Sequence, residues 1–181
     1  VGRHMSPHVH YVDAANVVGA RTAVEHLICR GHRRIGILTG RLDTPGGEDR
    51  YTGYRQGLEA HHIPLDESLV AVGDFTEGSG LAGTQKLLSA SPSAIFASSD
   101  TMAIGALKAL RQAGRRVPED VALVGFDDIP ISSVIEPPLT TVRQPIGEMG
   151  AKAVDILLDL LDNPGAMPEP VILPTELVVR E

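Results

Sequence analysis

Apolar positions along this chain switch period in a regular alternation. Residues 14–30 (AANVVGARTAVEHLICR) space Val17, Ala20, Val24, Leu27 and Ile28 as one helix face, with Gly31 as a stop. RRIGILTG (33–40) is then a short unbroken apolar run closed by glycine, which predicts a buried strand. A polar, Gly/Pro-rich loop, RLDTPGGED, leads to a helix expected from about Arg50 to His61. SLVAVGD (68–74) predicts a second strand, and SGLAGTQKLLSAS a helix carrying Leu81, Leu87 and Leu88. SAIFASSD (93–100) predicts a third strand, with Asp100 placed to N-cap the helix TMAIGALKALRQAG that Gly114 ends. VPED then turns the chain into VALVGF, the fourth strand.

The order β-α-β-α-β-α-β, with strands as continuous apolar runs, predicts an α/β fold: a Rossmann-like parallel sheet with helices on both faces. The tail breaks this rhythm. Residues 146–161 set Met149, Ala153, Ile156, Leu157, Leu160 and Leu161 on one amphipathic face, and VILPTELVVR offers two strand-like pieces split by Pro174, suited to an edge. The helices at 14–30 and 147–161 remain after the three crossovers are counted. They are expected to belong to a second, incomplete lobe that leaves their apolar faces uncovered.

Composition narrows the function. With 43% hydrophobic and 22% charged residues, the 181-residue chain reads as an ordinary globular protein. It has no apolar run long enough for a membrane span, and VGRHMSPHVH has no apolar core of a signal peptide. The single cysteine, Cys29, excludes an internal disulfide, gives no metal spacing, and is expected in the core beside Leu27 and Ile28. Together these features point to a cytoplasmic protein. The net charge is −7, from 16 basic against 23 acidic residues, and no basic cluster exceeds Arg33–Arg34 or Arg115–Arg116. Such a chain lacks the cations that neutralise nucleic-acid phosphates, and its few aromatics offer no stacking platform.

Ligands of open parallel sheets bind beyond the carboxyl ends of the strands. The segments that follow the four strands are Gly40 to Arg50, Asp74-Phe75, Ser98-Ser99-Asp100 and Asp127-Asp128. Arg50 offers a planar fork of donors and Asp127 paired acceptors, which together suit adjacent hydroxyls, and Phe75 offers an apolar wall for a ring. Each has a plainer role beside it. Asp100 is first of all an N-cap, Asp128 a turn cap, Phe75 edge packing, and Arg50 a surface partner of Glu48 or Asp49. Asp127, an acid ending a core strand, is the strongest candidate. The HVH at His8–His10 has no third metal ligand in view, the glycine-rich loop lacks GK[ST], and no nucleophile is paired with a base. No catalytic residue, metal or cofactor is therefore expected, and an enzyme using Asp127 or Asp128 as acid or base is the outlying alternative.

The stretches D13-x-x-N16, GHRRIGILTG, R50-x-x-G53-Y54, GDF (73–75), FASSDTMAIGALKAL, VPEDVALVGFDD, PPLTTVRQP and MGAKAVDILLDLL before LPTELVVRE occur in one order over residues 11–181. In that combination the chain resembles the effector-binding core of the LacI/GalR family of bacterial transcription regulators. The resemblance implies a periplasmic-binding-protein-like fold of two lobes joined by three chain passages. By that likeness, residues 1–31 and 141–162 are a remnant of the N-terminal lobe, and 33–139 with 171–181 form the C-terminal lobe. It also implies effector contacts at Arg50, Phe75, Ser99, Asp100 and Asp127. Many sugar-responsive members carry Asn where this sequence has Ser99. The implied partners are a sugar-like small molecule, a second copy in a homodimer, and operator DNA reached only through a domain outside this sequence; no membrane is implied. A periplasmic sugar-binding protein, which shares the scaffold, is the alternative.

Overall fold

Runs of apolar residues without alternation become strands buried on both faces, and here they pair into one sheet. The computed structural model describes residues 2–3, 9–163, 165 and 167–180. Strands β2 (Ile35–Thr39), β3 (Val70–Val72), β4 (Ala94–Ala97), β5 (Ala122–Asp127), β6 (Thr140–Arg143) and β8 (Glu176–Val178) form a six-stranded sheet in the order β3-β2-β4-β5-β6-β8. All pairs are parallel except β6 with β8, which closes one edge antiparallel. The strand order reverses between β2 and β4, the switch point at which doubly wound sheets open a crevice.

Helices α1 (Asn16–Cys29) and α2 (Pro45–Ala60) cover one face, and α3 (Glu77–Leu88) and α4 (Asp100–Gln112) the other. The strands feed both layers by alternation. Ile35, Ile37, Phe96, Val124 and Phe126 meet Val24, Leu27 and Leu58 on the first face, while Leu38, Ile95 and Leu123 meet Leu87, Met102 and Leu110 on the second. Each such fully buried side chain contributes roughly 1.5–3 kcal/mol. Tyr54, wholly buried in α2, satisfies its hydroxyl by donating to the Ile35 carbonyl at 2.8 Å, and burial pushes that phenol well above its ordinary pKa.

A second, smaller unit pairs β1 (Val12–Ala14) in parallel with β7 (Val171–Leu173) and packs α5 (Ile146–Asp162) on them through Met149, Ala153 and Ile156. The chain passes between this unit and the large sheet at Ala15, at Gln144–Pro145 and at Pro174–Thr175. The opposite side of α5 leaves Val154, Leu157, Leu158 and Leu161 more than half exposed. No helix among the described residues is long and apolar enough to cross a membrane.

Several expectations change. Helix α1 is not left over: its apolar face is covered by α2 and the large sheet, with Ala20, Ala23 and Val24 fully buried. The reason is sheet width. TTVR (140–143) and ELV (176–178) join as fifth and sixth strands, so the α2 side needs a further helix. The expected lobe boundaries shift accordingly, with 16–143 and 176–178 on the large sheet and 12–14, 146–162 and 171–173 in the small unit. Helix α2 starts at Pro45, not Arg50, because Thr44 accepts the Gly47 N–H as an N-cap and Pro45 presets the first turn. Cys29 is exposed: one position past Ile28, it has rotated off the buried face.

Candidate functional site

Parallel pairing puts the carboxyl ends of β2, β4 and β5 on one edge, and the loop after β2 returns α2 across that edge. Arg50, in the second turn of α2, is thereby delivered into the crevice at the switch point, where only 7% of the residue is exposed. Its Nε donates to Asn16 Oδ1 at 2.9 Å, and its Nη1 donates to the Ser98 carbonyl at 2.6 Å and to Asp127 Oδ1 at 3.0 Å. The guanidinium lies 3.8 Å from the Phe126 ring centroid and 5.8 Å from that of Phe75, a stacked cation–π arrangement. Nη2 has no hydrogen-bond partner among the described residues, which leaves two N–H donors of the fork for a ligand.

Asp127 ends β5 and accepts on Oδ1 from both Arg50 and the Gln144 amide, the latter at 2.7 Å. Burial pushes its pKa above the ordinary aspartate value, and Arg50 and Gln144 only partly pull it back. Burial likewise pulls the Arg50 guanidinium down against the pull of Asp127, but an arginine stays charged in a protein. Asp128 behaves oppositely. Burial alone would raise it, yet Arg180 and Arg143, each donating at 2.6 Å, outweigh that and hold it below its ordinary value. Adjacent in sequence, the two acids have different partners: Asp128 ties β5 to β6 and the C-terminal segment, Asp127 holds Arg50 and Gln144, and both line the cleft.

Backbone conformation marks the same edge. Phe75, Asp127 and Asp128 all have positive φ, at 68°, 118° and 57°. Such conformations cost of order 1–3 kcal/mol each for non-glycine residues and concentrate at functional positions. The φ of Phe75 folds its ring back onto Gly40 at the end of β2, where a Cβ would overlap the ring. Glycine at 40 thus seats the apolar wall of the crevice.

Ser99 and Asp100 are placed differently from expectation. Ser99, not Asp100, is the N-cap of α4, its Oγ accepting the Met102 N–H at 3.2 Å. Asp100 begins the helix and is fully buried; its carboxylate accepts from the Ile129 N–H at 3.0 Å, the Ser132 hydroxyl at 2.6 Å and the Thr141 hydroxyl. Burial pushes its pKa up while those donors oppose the shift. Gly125 makes room for it, since a Cβ there would overlap the carboxylate. The residue therefore ties α4 to the loop after β5 and to β6. Of the five residues singled out in the sequence, the structure brings Arg50, Phe75 and Asp127 together and commits the side chains of Ser99 and Asp100 to internal bonds.

Sequence reasoning missed Asn16, Phe126 and Gln144. Their only signal was membership in D13-x-x-N16, GFDD and TTVRQP, since nothing local shows that 16, 126 and 144 converge on one arginine–aspartate pair. In the HVH segment His8 lies outside the described residues, and His10 Nδ1 lies 3.0 Å from the Pro168 carbonyl. No cluster of three or more metal-ligating side chains occurs among the described residues.

The cleft itself opens between the end of β5 and the start of α5. It has a volume of about 720 Å³ and is lined by Asp127, Ile129, Pro130, Gln144, Ile146 and Glu148 among others. That volume lies within the range of small-molecule sites, about 300–1,000 Å³. Of the charged pair Asp127 lines this cleft, with Arg143 and Gln144 beside it, so the cleft can bind a polar ligand through hydrogen bonds; Arg50 and Phe75 are not among its lining residues. Nothing in the site pairs a nucleophile with a base.

Residues 24–181 match the family described as a periplasmic binding protein-like domain. Among curated relatives, the HTH-type transcriptional regulator CelR of Thermobifida fusca is 45% identical over 175 residues, 96% of this chain and 52% of that protein. AscG, an HTH-type transcriptional regulator of Escherichia coli strain K12, is 42% identical over 88% of this chain and 48% of its own length. A solved complex of the transcriptional regulator CelR with cellobiose superposes with a TM-score of 0.96 at 43% identity, covering 99% of this chain and 57% of that one. A LacI-family regulator from Enterococcus faecium with bound ribose gives 0.90 at 29% identity, covering 98% and 66%. The chain spans about half the length of the curated relatives it matches.

Proposed function

This chain belongs to the periplasmic binding protein-like domain family of LacI-type transcription regulators, and on that premise we propose that it senses a sugar effector in the cleft beside Arg50 and Asp127. The observation that carries this is the buried Arg50–Asp127 pair at the switch point of the sheet. A buried arginine paired with a part-buried aspartate is a poor contributor to stability, which fits a binding role for the pair. Arg50 Nη2 donates to a ring hydroxyl, Asp127 accepts from its neighbour, and Phe75 packs on the ring's apolar face. Ser99 and Asp100 support this site from beneath, without ligand contacts of their own.

The relative solved with cellobiose supports a glucose-based disaccharide as the first candidate effector. The protein acts as a non-enzymatic sensor in the cytoplasm, in a homodimer whose paired DNA-binding heads lie outside this sequence. Effector binding favours one arrangement of the large sheet and the small unit, and the arrangement sets operator affinity; couplings of this kind are about 1–3 kcal/mol.

The test is calorimetric titration and thermal unfolding with cellobiose, glucose, ribose and a nucleoside. A ligand at 100 times its Kd adds about 2.7 kcal/mol, which is roughly 5–10 °C in a chain of this size. A shift with cellobiose that disappears in Asp127→Ala supports the reading. A shift with the nucleoside alone replaces the sugar class, and an equal shift in wild type and Asp127→Ala moves the site elsewhere.

A further inference from the structure

The opposite edge of the large sheet carries a second cavity. It has a volume of about 220 Å³ and lies between the last turn of α1 and the start of β5. His26, Arg30 and His32 supply its polar lining, and Leu27, Pro118 and the first residues of β5 supply the apolar part. Strand β5 keeps it apart from the cleft: Ala122 at the amino end lines the cavity, and Asp127 at the carboxyl end lines the cleft.

Among the described residues no acid lines this cavity. The acids nearest in sequence are engaged elsewhere. Glu25 accepts from Arg21 at 2.7 Å, Asp120 accepts from Arg116, and Glu119 lies in the field of the same Arg116. The side chains of Arg30 and His26 have no hydrogen bond or ion pair among the described residues. Burial, with Arg30 and His32 nearby, holds the His26 imidazole below its ordinary pKa, and burial does the same to His32. Three basic side chains thus share one rim with no negative charge to balance them.

The rim is also held in shape. Gly31 takes a φ of 94° after α1, and the N–H groups of Arg30, Gly31 and His32 donate to the His26, Ile28 and Leu27 carbonyls. Those bonds occupy helix carbonyls that would otherwise repel an anion. His32 Nδ1 lies 3.1 Å from Ser93 Oγ, which fixes the ring. A metal cation does not fit here, because Arg30 repels it and no third ligand joins the two imidazoles among the described residues.

We propose that this cavity is a second binding site, separate from the cleft beside Asp127, and that it takes the phosphate group of a small molecule. Arg30 pairs with the oxyanion, the His26 and His32 rings donate to it, and a short carbon body packs on Leu27 and Val124. An arginine fork matches phosphate oxygens in both charge and geometry. The cavity corresponds to roughly seven waters of liquid volume, at about 30 Å³ each, which suits a phosphate with a few carbons and is too small for a disaccharide.

The test uses inorganic phosphate and glycerol phosphate, with sulfate as an oxyanion that does not itself titrate. Histidine NMR across about pH 5–8 compares sulfate with chloride at equal ionic strength. The His26 and His32 pKa values should rise more with sulfate, because a bound anion favours the imidazolium. Calorimetry should show saturable phosphate binding that weakens about tenfold in Arg30→Gln, less in His26→Gln, and not at all in Asp127→Ala. Arg30 is exposed and His26 partly so, and both variants should unfold at the wild-type temperature.

Equal pKa shifts with sulfate and chloride reduce the effect to ionic screening and overturn the proposal. Phosphate binding that Arg30→Gln leaves unchanged, or that Asp127→Ala abolishes, also overturns it. Glycerol phosphate should bind more tightly than inorganic phosphate; the reverse order would overturn the packed carbon body and make the free ion the ligand.

Discussion

Arg50 Nη1 lies 3.0 Å from Asp127 Oδ1, although 77 residues separate them in the chain. Arg50 comes from the second turn of a helix on one face of the sheet, and Asp127 from the end of a central strand. The contact exists because parallel strands bring their carboxyl ends to one edge. Arg50→Ala should abolish detectable sugar binding in calorimetry. It should also lower stability by about 1.5–3 kcal/mol, because the part-buried Asp127 carboxylate loses its charged partner. Arg50→Lys should restore part of the stability and little of the affinity, since an ammonium cannot reach Asn16, Ser98 and Asp127 as a planar fork does.

Asp127 and Asp128 should titrate on opposite sides of the usual aspartate value of 3.8. For Asp128 the folded pKa is depressed, so its ion pairs stabilise fully above that value and are lost as pH falls through the lower folded pKa. For Asp127 the folded pKa is raised, so ionisation costs stability as pH rises from 3.8 through the higher folded pKa, and above it the cost is constant. Carboxyl carbon NMR across pH 2–7 checks both: the first of the two to ionise should be Asp128, and adding Arg143→Ala with Arg180→Ala should move Asp128 upward while leaving Asp127 in place.

Gly40→Ala is a small change with a directed effect. The added methyl overlaps the Phe75 ring and must push it out of the crevice, while the neighbouring β2 residues keep their sheet partners. The expected result is at least a tenfold weaker sugar affinity for a loss of about 1–3 kcal/mol, the usual range for overpacking. Affinity unchanged at wild-type stability would show that Phe75 is not a wall of the site.

Asp100→Ala and Ser99→Ala separate internal support from ligand contact. Removing Asp100 orphans the Ser132 and Thr141 hydroxyls and the Ile129 N–H, at about 1–3 kcal/mol for each donor left buried, so thermal unfolding should fall by well over 5 °C. Ser99→Ala loses only a helix cap, about 1 kcal/mol. Sugar affinity measured on the folded fraction should survive Ser99→Ala, and a specific loss of affinity there would return Ser99 to the ligand.

Much of this was legible in the chain. Unbroken apolar runs at 35–39, 94–97 and 122–126 could only be strands covered on both faces, and the helical periods between them imposed parallel crossovers. Once that holds, the residues after each strand must share an edge, which is why Arg50, Phe75 and Asp127 lie near one another. Two strands were not read: β1, three residues long, and β6, a TTVR tetrapeptide after two prolines; neither carries a periodic signal. Missing β6 left α1 without a sheet to cover and displaced it to the small unit.

Side-chain allegiance was decided by tertiary structure alone. Ser99 and Asp100 both have the chemistry of a cap and of a ligand contact, and only the space behind Gly125 and the arrival of Ser132 and Thr141 settle where Asp100 turns. Asp127 and Asp128 are the same residue twice in sequence; Arg143 and Arg180 claim one, and Arg50 and Gln144 the other. Periodicity is a local property of the chain, so the sequence by itself determines the elements and the edge at which strands end. Hydrogen-bond partnership depends on distances between segments far apart in sequence, and those are set only when the sheet has closed around them.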